Sequence, residues 1–598
     1  MLHSIATVSL SGTLLEKTRA IANAGYDGIE LFENDLTIST VSPTDYRNLL
    51  AELGLELVGL QPFRDYEAMP EPFKTRSLDR AKRKFELMHQ LDTETLFICS
   101  NTSPHTIDSL EKAAEDLYDM AELARQHGFR IGYEALSWGR HVNTYHQSVE
   151  IVRRANHPNL GNILDNFHIS ALNSTFEDIY TIPAHKLTIV QMADAPRFDM
   201  GAMHLGRHYR CFPGQGSFPV VEFLKAVQST GYDGYLSHEI FSDEFRSSAI
   251  EPVAVDGKRS LIWLEQTLNQ TPKPDLQRLE FVEFTTTPDA QPDLIDLLAN
   301  LGFAETFRHR TKAVSLWQCG QVTVVLNRQA DDYAPNTVCA IGFRTPDKQA
   351  VAQRAKQLRY DWQERSRSPN ELDMPASRGI GGMLYYFIDE SAGNAIYDLE
   401  FDPTGHTPTG PDALRFDHIG HTVGHDAYLS NTLYYRTLLG LSVDESLELL
   451  DPRGIVYSRV AANGSGSIRI PLSSSRSQGT SSDQFVARSG SGIQQIAWHT
   501  DDIFGLVASV RNKDLILPIP ANYYDDLQAK TDLPDAQIAA MQAHNILYDR
   551  NESGVFFHVY FKEINGLFIE IVHRQGSYSR FGEINAQVRL AAQARTRT

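Results

Sequence analysis

The sequence predicts an α/β (β/α)8 barrel over residues 1–270, followed by an α+β half of paired βαβββ modules over 280–400 and 410–598. Three observations predict it. Eight apolar runs of strand type alternate with amphipathic stretches across the first 270 residues, which is the number and size of a closed parallel barrel. A polar stretch with two prolines, NQTPKPDLQ at 269–277, then interrupts the pattern as a linker. Beyond it strands outnumber helices, and a second polar stretch, DPTGHTPTGPDA, divides them.

The barrel strands read in order as HSIATVSL, DGIELF, LELVGLQ, TLFICS, RIGYEAL, LGNILD, KLTIVQMAD and YLSHEI. Helical periodicity fills 13–24, 43–53, 77–91, 107–127 and 219–229, and Gly25, Gly54, Gly128 and Gly231 stand where helices end. An open doubly wound sheet is the rival, but GxGxxG after the first strand is absent. In the second half, FVEFTTT, VSLWQCG, VTVVLN and GGMLYYFID predict the strands of the first module. RFDHIGHTV, IVYSRVA, SIRIPL, GIQQIAWHT, VFFHVYF and LFIEIVH predict those of the second, with helices at 427–438 and near 502–512. The Ser/Gly-rich stretch 473–490 predicts a mobile loop.

Four strands close on an acidic or amide residue: Glu134, Asp165, Gln191 and Glu239. In a parallel barrel the strand C-termini converge on one mouth. Three carboxylates crowded there repel one another unless a cation joins them, and oxygen donors suit a hard divalent ion, Mg²⁺ or else Mn²⁺ or Co²⁺. His168 follows Asp165 by three residues and can move protons in the same mouth. Arg64 and Arg210 follow the third and seventh strands, where a guanidinium can fork onto a substrate carboxylate. His208 and Lys186 are weaker candidates. Each residue has a plainer reading as a helix cap, an ion-pair partner or surface cover; the joint placement of the four strand-end residues outweighs it.

Composition narrows the function. A formal net charge of −20 and the lack of a Lys/Arg stripe argue against nucleic acid. The four cysteines form no CxxC pair, so a reducing compartment is expected. The opening MLHSIATVSLSG reads as strand and turn rather than a leader, and no apolar run approaches a membrane span. The expectation is a cytoplasmic protein with a small-molecule substrate and no membrane partner.

The segments YEAL, ILDNFH, QMAD, CFPGQG and LSHEI resemble the xylose-isomerase-like barrel superfamily, and within it the bacterial 3-dehydroshikimate dehydratases, over residues 1–270. The resemblance implies metal ligands at Glu134, Asp165, Gln191 and Glu239 and a proton-transfer histidine at His168. Gln191 stands where other members of the superfamily commonly have histidine. It further implies dehydration of 3-dehydroshikimate to protocatechuate in quinate and shikimate breakdown, with Arg64 or Arg210 on the ring carboxylate. A sugar or inositol-type isomerase on the same barrel is the second reading. The extra histidines of endonuclease IV-like members are not found.

In the second half, FDHIGHTV, YYRTLLGL, GIQQIAWHTDDI and GLFIEIVHR resemble 4-hydroxyphenylpyruvate dioxygenase of the vicinal-oxygen-chelate superfamily. That likeness implies a metal triad of His418, His499 and Glu570, two histidines and a carboxylate of the kind that holds Fe²⁺, with Mg²⁺ the other candidate. The first module lacks such a set, as is normal for that family. The family's glycine-rich GNF segment near the C-terminus is not evident. The alternative for this half is a non-catalytic assembly module, consistent with a homo-oligomer. Fusion of the two halves resembles an arrangement known among bacterial dehydroshikimate dehydratases.

Overall fold

The computed structural model describes residues 1–329, 333–363, 371–393 and 395–596. The expected modules at 280–400 and 410–598 therefore include short stretches outside the described residues. Two compact units form, Met1–Pro272 and Lys273–Thr598.

In the first unit eight parallel strands close in sequence order: β1 (Leu2–Ala6), β2 (Gly28–Phe32), β3 (Glu56–Phe63), β4 (Thr95–Cys99), β5 (Arg130–Glu134), β6 (Leu160–Asp165), β7 (Leu187–Met192) and β8 (Tyr235–His238). Local chemistry sets the helices between them. The first, Leu14–Ala24, opens on a capping box: Glu16 Oε2 accepts the Thr13 N–H at 2.7 Å and Thr13 Oγ1 accepts the Glu16 N–H. It closes at Gly25, whose φ of 81° suits glycine. The helix Phe73–Leu91 starts four residues before its expected position at 77. The carbonyls of Pro70 and Pro72 accept the Lys74 and Arg76 N–H groups and so begin the ladder early.

The second unit holds two nine-stranded sheets, one from strands between Arg278 and Pro403 and the other from strands between Arg415 and Gly576. One hydrophobic cluster runs through both, from Leu276 and Val282 through Phe343, Ile419 and Trp498 to Ala592. Several strands escaped the sequence reading. Ala304–His309 is half-exposed and carries charge, so it shows no apolar run. Thr337–Thr345 includes Arg344, which is buried because its guanidinium forks onto Glu280 at 2.8 and 2.9 Å. Helices Ala521–Lys530 and Asp535–His544 were also unforeseen.

The loop expected at 473–490 is instead the end of strand Arg469–Ser475 and a helix, Ser481–Ser489. Thr480 caps this helix by accepting the Asp483 N–H. Asp451 accepts the Ser481 N–H at 3.0 Å, and Phe485 is buried. Serine-rich composition here supplies caps rather than freedom. No described helix is long and apolar enough to cross a membrane.

His421 lies wholly buried on strand Arg415–Thr422. Its Nδ1 meets the Tyr435 hydroxyl, and its Nε2 has no partner among the described residues. Burial pushes its imidazole down to about 3. The unfolded value is about 6.5. Protonation therefore favours the unfolded chain, and stability that is full above the unfolded value is lost as pH falls toward the folded one. The loss is on the order of 5 kcal/mol. The urea midpoint of the wild type is expected to fall across this window, and that of His421→Gln to fall less. Equal slopes would contradict the assignment.

Candidate functional site

Strand register brings the barrel's polar residues to one end. Asp165 pairs with Gln191, Cys99 with Glu134, and Gln191 with Ser237; Glu239 is the residue after β8. All four expected ligands are buried, as is His168. Glu134, Asp165 and His168 offer ligand atoms within 4.8 Å of one another. Glu239 stands outside that group and joins it through Arg210, whose Nη1 lies 2.7 Å from Asp165 Oδ2 and 3.3 Å from Glu239 Oε2.

Asp165 serves two purposes. Its Oδ1 caps the helix Asn166–Ala171 by accepting the Phe167 N–H at 2.8 Å, while its Oδ2 faces the cluster. The helix-cap reading and the ligand reading are thus compatible in one carboxylate. The same helix carries His168. Its Nε2 lies 3.4 Å from Glu134 Oε1 and 3.5 Å from Asp165 Oδ2. On the other side of the ring, Nδ1 meets the Ser137 N–H at 3.1 Å and the Ser137 hydroxyl at 3.0 Å.

The charges do not balance. Arg210 supplies one positive charge to three buried carboxylates. Burial works against ionised Glu134, but His168 and Arg210 outweigh it and hold the carboxyl below its ordinary value. Glu239 is pushed well up, first by burial and then by the charge of Glu134. Among the described residues, two buried oxygens, Glu134 Oε1 and Gln191 Oε1, accept no hydrogen bond. Orphaned oxygens beside crowded carboxylates are what a hard divalent cation satisfies, so the donor set fits such an ion.

Glu30 escaped the sequence reading. It lies within β2, wholly buried, and its Oε2 accepts from Gln191 Nε2 at 2.9 Å and Gln61 Nε2 at 2.7 Å. Burial raises its carboxyl to about 7 against the pull of its hydrogen bonds. By engaging the amide nitrogen of Gln191, Glu30 leaves the amide oxygen as the free end. Its position on β2 was a signal: it is a carboxylate inside an apolar run, GIELF. Asp194 was seen only as part of QMAD. Its carboxylate accepts the N–H groups of Ala195, Gly214, Gly216 and Phe218 and so ties the CFPGQG turn beside Arg210.

The arginines differ from expectation. Arg210 is buried on the floor, its Nε committed to Gly206 O at 3.1 Å and its Nη1 to the carboxylates and Glu239 O, rather than open to a substrate. Arg64 is partly exposed. Arg207, which was not foreseen, is half-buried with its guanidinium 5.8 Å from the rings of both Trp138 and Phe241. Burial lowers the Arg207 guanidinium, and the charges of Arg64 and Arg210 lower it further. His208 pairs at the surface with Asp243 at 2.8 Å, away from the cluster. Lys186 precedes β7, at the opposite end of the barrel strands, and donates to His157 O and Leu160 O.

In the second unit the expected triad of His418, His499 and Glu570 does not form. Ala497 is the residue in register with both His418 and Glu570, whereas His499 pairs with Val572 at the strand end and bonds Asp501 at 3.0 Å. Gln495, one alternation earlier on the same face, reaches the centre: its Nε2 lies 3.0 Å from His418 Nε2 and 2.6 Å from Glu570 Oε2. The motif GIQQIAWHT contains both residues, and spacing alone did not separate them. A second group with metal-ligand spacing, His309, Glu371 and Glu400, lies in the same unit. There His309 Nδ1 accepts the Thr311 and Lys312 N–H groups, both at 3.1 Å, so Nε2 carries the proton and faces Glu400 at 3.2 Å. A ring so arranged has no lone pair for a metal.

Residues 18–266 match the family described as xylose isomerase-like TIM barrel, and residues 273–402 match hydroxyphenylpyruvate dioxygenase, HPPD, N-terminal. Over its full length the chain is 39% identical to a 3-dehydroshikimate dehydratase of Pseudomonas putida and 40% identical to one of Pseudomonas aeruginosa, spanning 99% of each. A solved structure of a xylose isomerase-like TIM barrel/4-hydroxyphenylpyruvate dioxygenase fusion protein matches the whole of both chains with a TM-score of 0.93 and 38% identity.

The hydrogen bonds of Glu30 yield one prediction for the barrel. Glu30→Ala is expected to weaken divalent-metal binding about 10- to 100-fold, the usual effect of losing a group that orients a ligand. Calorimetric titration with Mn²⁺ measures it, and an unchanged affinity in a folded variant would remove Glu30 from the site.

Proposed function

Because the chain belongs to the 3-dehydroshikimate dehydratases that fuse a xylose isomerase-like barrel to a hydroxyphenylpyruvate dioxygenase-like half, we propose that the cluster of Glu134, Asp165, Gln191 and Glu239 is where its reaction occurs. The chain is a hydro-lyase that converts 3-dehydroshikimate to protocatechuate and water. The observation that carries the site assignment is the pair of orphaned oxygens, Glu134 Oε1 and Gln191 Oε1, beside carboxylates that one arginine cannot neutralise.

Glu134, Asp165, Gln191 and Glu239 would hold a divalent ion, Mg²⁺ or else Mn²⁺ or Co²⁺, which would supply Lewis-acid polarisation of the substrate ketone. The side chains handle the proton and the orientation. A carboxylate of the mouth takes the proton from the carbon next to the ketone. The C–H electrons form the new double bond as the bond to the β-hydroxyl breaks. His168, whose Nδ1 accepts the Ser137 N–H and whose Nε2 therefore carries the proton beside Glu134 and Asp165, gives that proton to the departing hydroxyl, which leaves as water, and regains one from the carboxylic acid. The dienone then tautomerises to the catechol ring of protocatechuate. Ser137 fixes the ring plane of His168 from the far side.

Arg64 and Arg207 hold the ring carboxylate. Their charges act on each other at the mouth, and an anion between them relieves that repulsion. Arg210 bridges Asp165 and Glu239 through one Nη1. The four cysteines are free and buried, which suits a reducing, cytoplasmic setting.

The ultraviolet change from dehydroshikimate to protocatechuate tests the assignment. Glu134→Ala is expected to abolish both turnover and bound metal. His168→Asn is expected to lower kcat about 10²- to 10⁴-fold while leaving metal content unchanged. Near-normal kcat in folded His168→Asn, or full metal content with activity in Glu134→Ala, would overturn these roles.

A further inference from the structure

Four strands of the second unit meet at the centre where the fold's metal triad was expected: Arg415–Thr422, Gly492–His499, Gly554–Tyr560 and Phe568–Gly576. They are joined there by an unbroken chain of hydrogen bonds. Arg574 forks onto Asp417 at 2.7 and 2.8 Å. Asp417 accepts from His418 Nδ1 at 2.8 Å, and His418 Nε2 on the other side of the ring lies 3.2 Å from Glu570 Oε2. Gln495 Nε2 donates to Glu570 Oε2 at 2.6 Å and sits 3.0 Å from His418 Nε2. The other oxygen of Glu570 accepts from His558 Nδ1 at 2.7 Å, and His558 Nε2 accepts from Asn585 Nδ2 at 2.9 Å. His418, Glu570 and His558 are fully buried.

We propose that Gln495 closes this centre to metal. Its carboxamide stands where a third ligand has to be and presents N–H groups, which repel a cation, to the histidine and the carboxylate. Turning the amide over would set its oxygen against the carboxylate oxygen Glu570 Oε2 and would break that bond. Gly420, in register with Gln495, leaves the side chain its space: a Cβ there would lie 2.9 Å from Gln495 Oε1 and Cβ.

The barrel has the opposite arrangement. Glu30 engages the nitrogen of Gln191 and leaves its oxygen free, and Gln191 Oε1 and Glu134 Oε1 both lack partners among the described residues. Gln495 has its nitrogen bonded to the would-be ligands themselves, and His418 Nε2 and both oxygens of Glu570 are already satisfied. The donor set therefore does not fit Fe²⁺. The hydrogen-bond chain ties the four strands together as an ion would, and one residue separates this centre from a two-histidine, one-carboxylate metal site.

The test uses the full chain with its barrel centre disabled by Glu134→Ala and Glu239→Ala, incubated anaerobically with Fe²⁺ or with Co²⁺, desalted, and assayed for metal by mass spectrometry. The expected result is no retained ion, and a stoichiometric ion with a Co²⁺ ligand-field band once Gln495→His is added. If Gln495→His fails to fold, Gln495→Glu supplies the missing ligand instead. A retained ion that persists through His418→Ala lies elsewhere and agrees with the proposal. A stoichiometric ion in the Gln495 chain that His418→Ala removes would overturn it. So would a folded Gln495→His chain that binds neither metal.

Discussion

Negative charge crowded at the barrel rim is the constraint on which the rest of the active unit depends. Glu134, Asp165 and Glu239 are taken out of water within reach of one arginine, and burial alone pushes Glu239 toward its neutral form. Such a cluster is costly to build. The fold offsets that cost with a fixed cation, Arg210, seated by Gly206 and by the turn that Asp194 ties. The balance left over is the affinity for a divalent ion. The site's chemistry thus follows from an imbalance that the fold leaves in place.

Two glutamines show how little sequence is needed to change what a centre does. Gln191 and Gln495 each stand on a strand among would-be metal ligands. A carboxamide has an accepting end and a donating end, and its neighbour decides which end faces inward. In the barrel, Glu30 on the adjoining side takes the nitrogen. In the second unit, Glu570, one of the would-be ligands, itself takes it, with His418 beside it. The same residue type thus serves opposite electrostatic purposes.

The second unit nonetheless keeps the framework around its centre. Asp417, gripped by Arg574, is depressed far below the ordinary carboxylate value, despite its burial, by that guanidinium and by His418. It orients His418 as a carboxylate commonly orients a metal-bound imidazole. Glu570 likewise remains ionised at about 2, because His418 and His558 outweigh the penalty of burial. This polar network is fully partnered within the protein, which makes it a fixed element of the sheet.

The sequence by itself determined the barrel. Eight apolar runs separated by amphipathic stretches leave a chain few ways to bury both faces of its strands, and strand-end polar residues then share one mouth. Glu134, Asp165, His168, Gln191 and Glu239 were legible because each belongs to a local motif at a strand end. Glu30 and Arg207 were not, because their roles arise from residues far away in the chain. Only tertiary structure decided between Gln495 and His499. They lie four residues apart on one strand face, and the register with His418 and Glu570 selects which of them reaches the centre. Register is a relation between strands, so no single stretch of sequence encodes it.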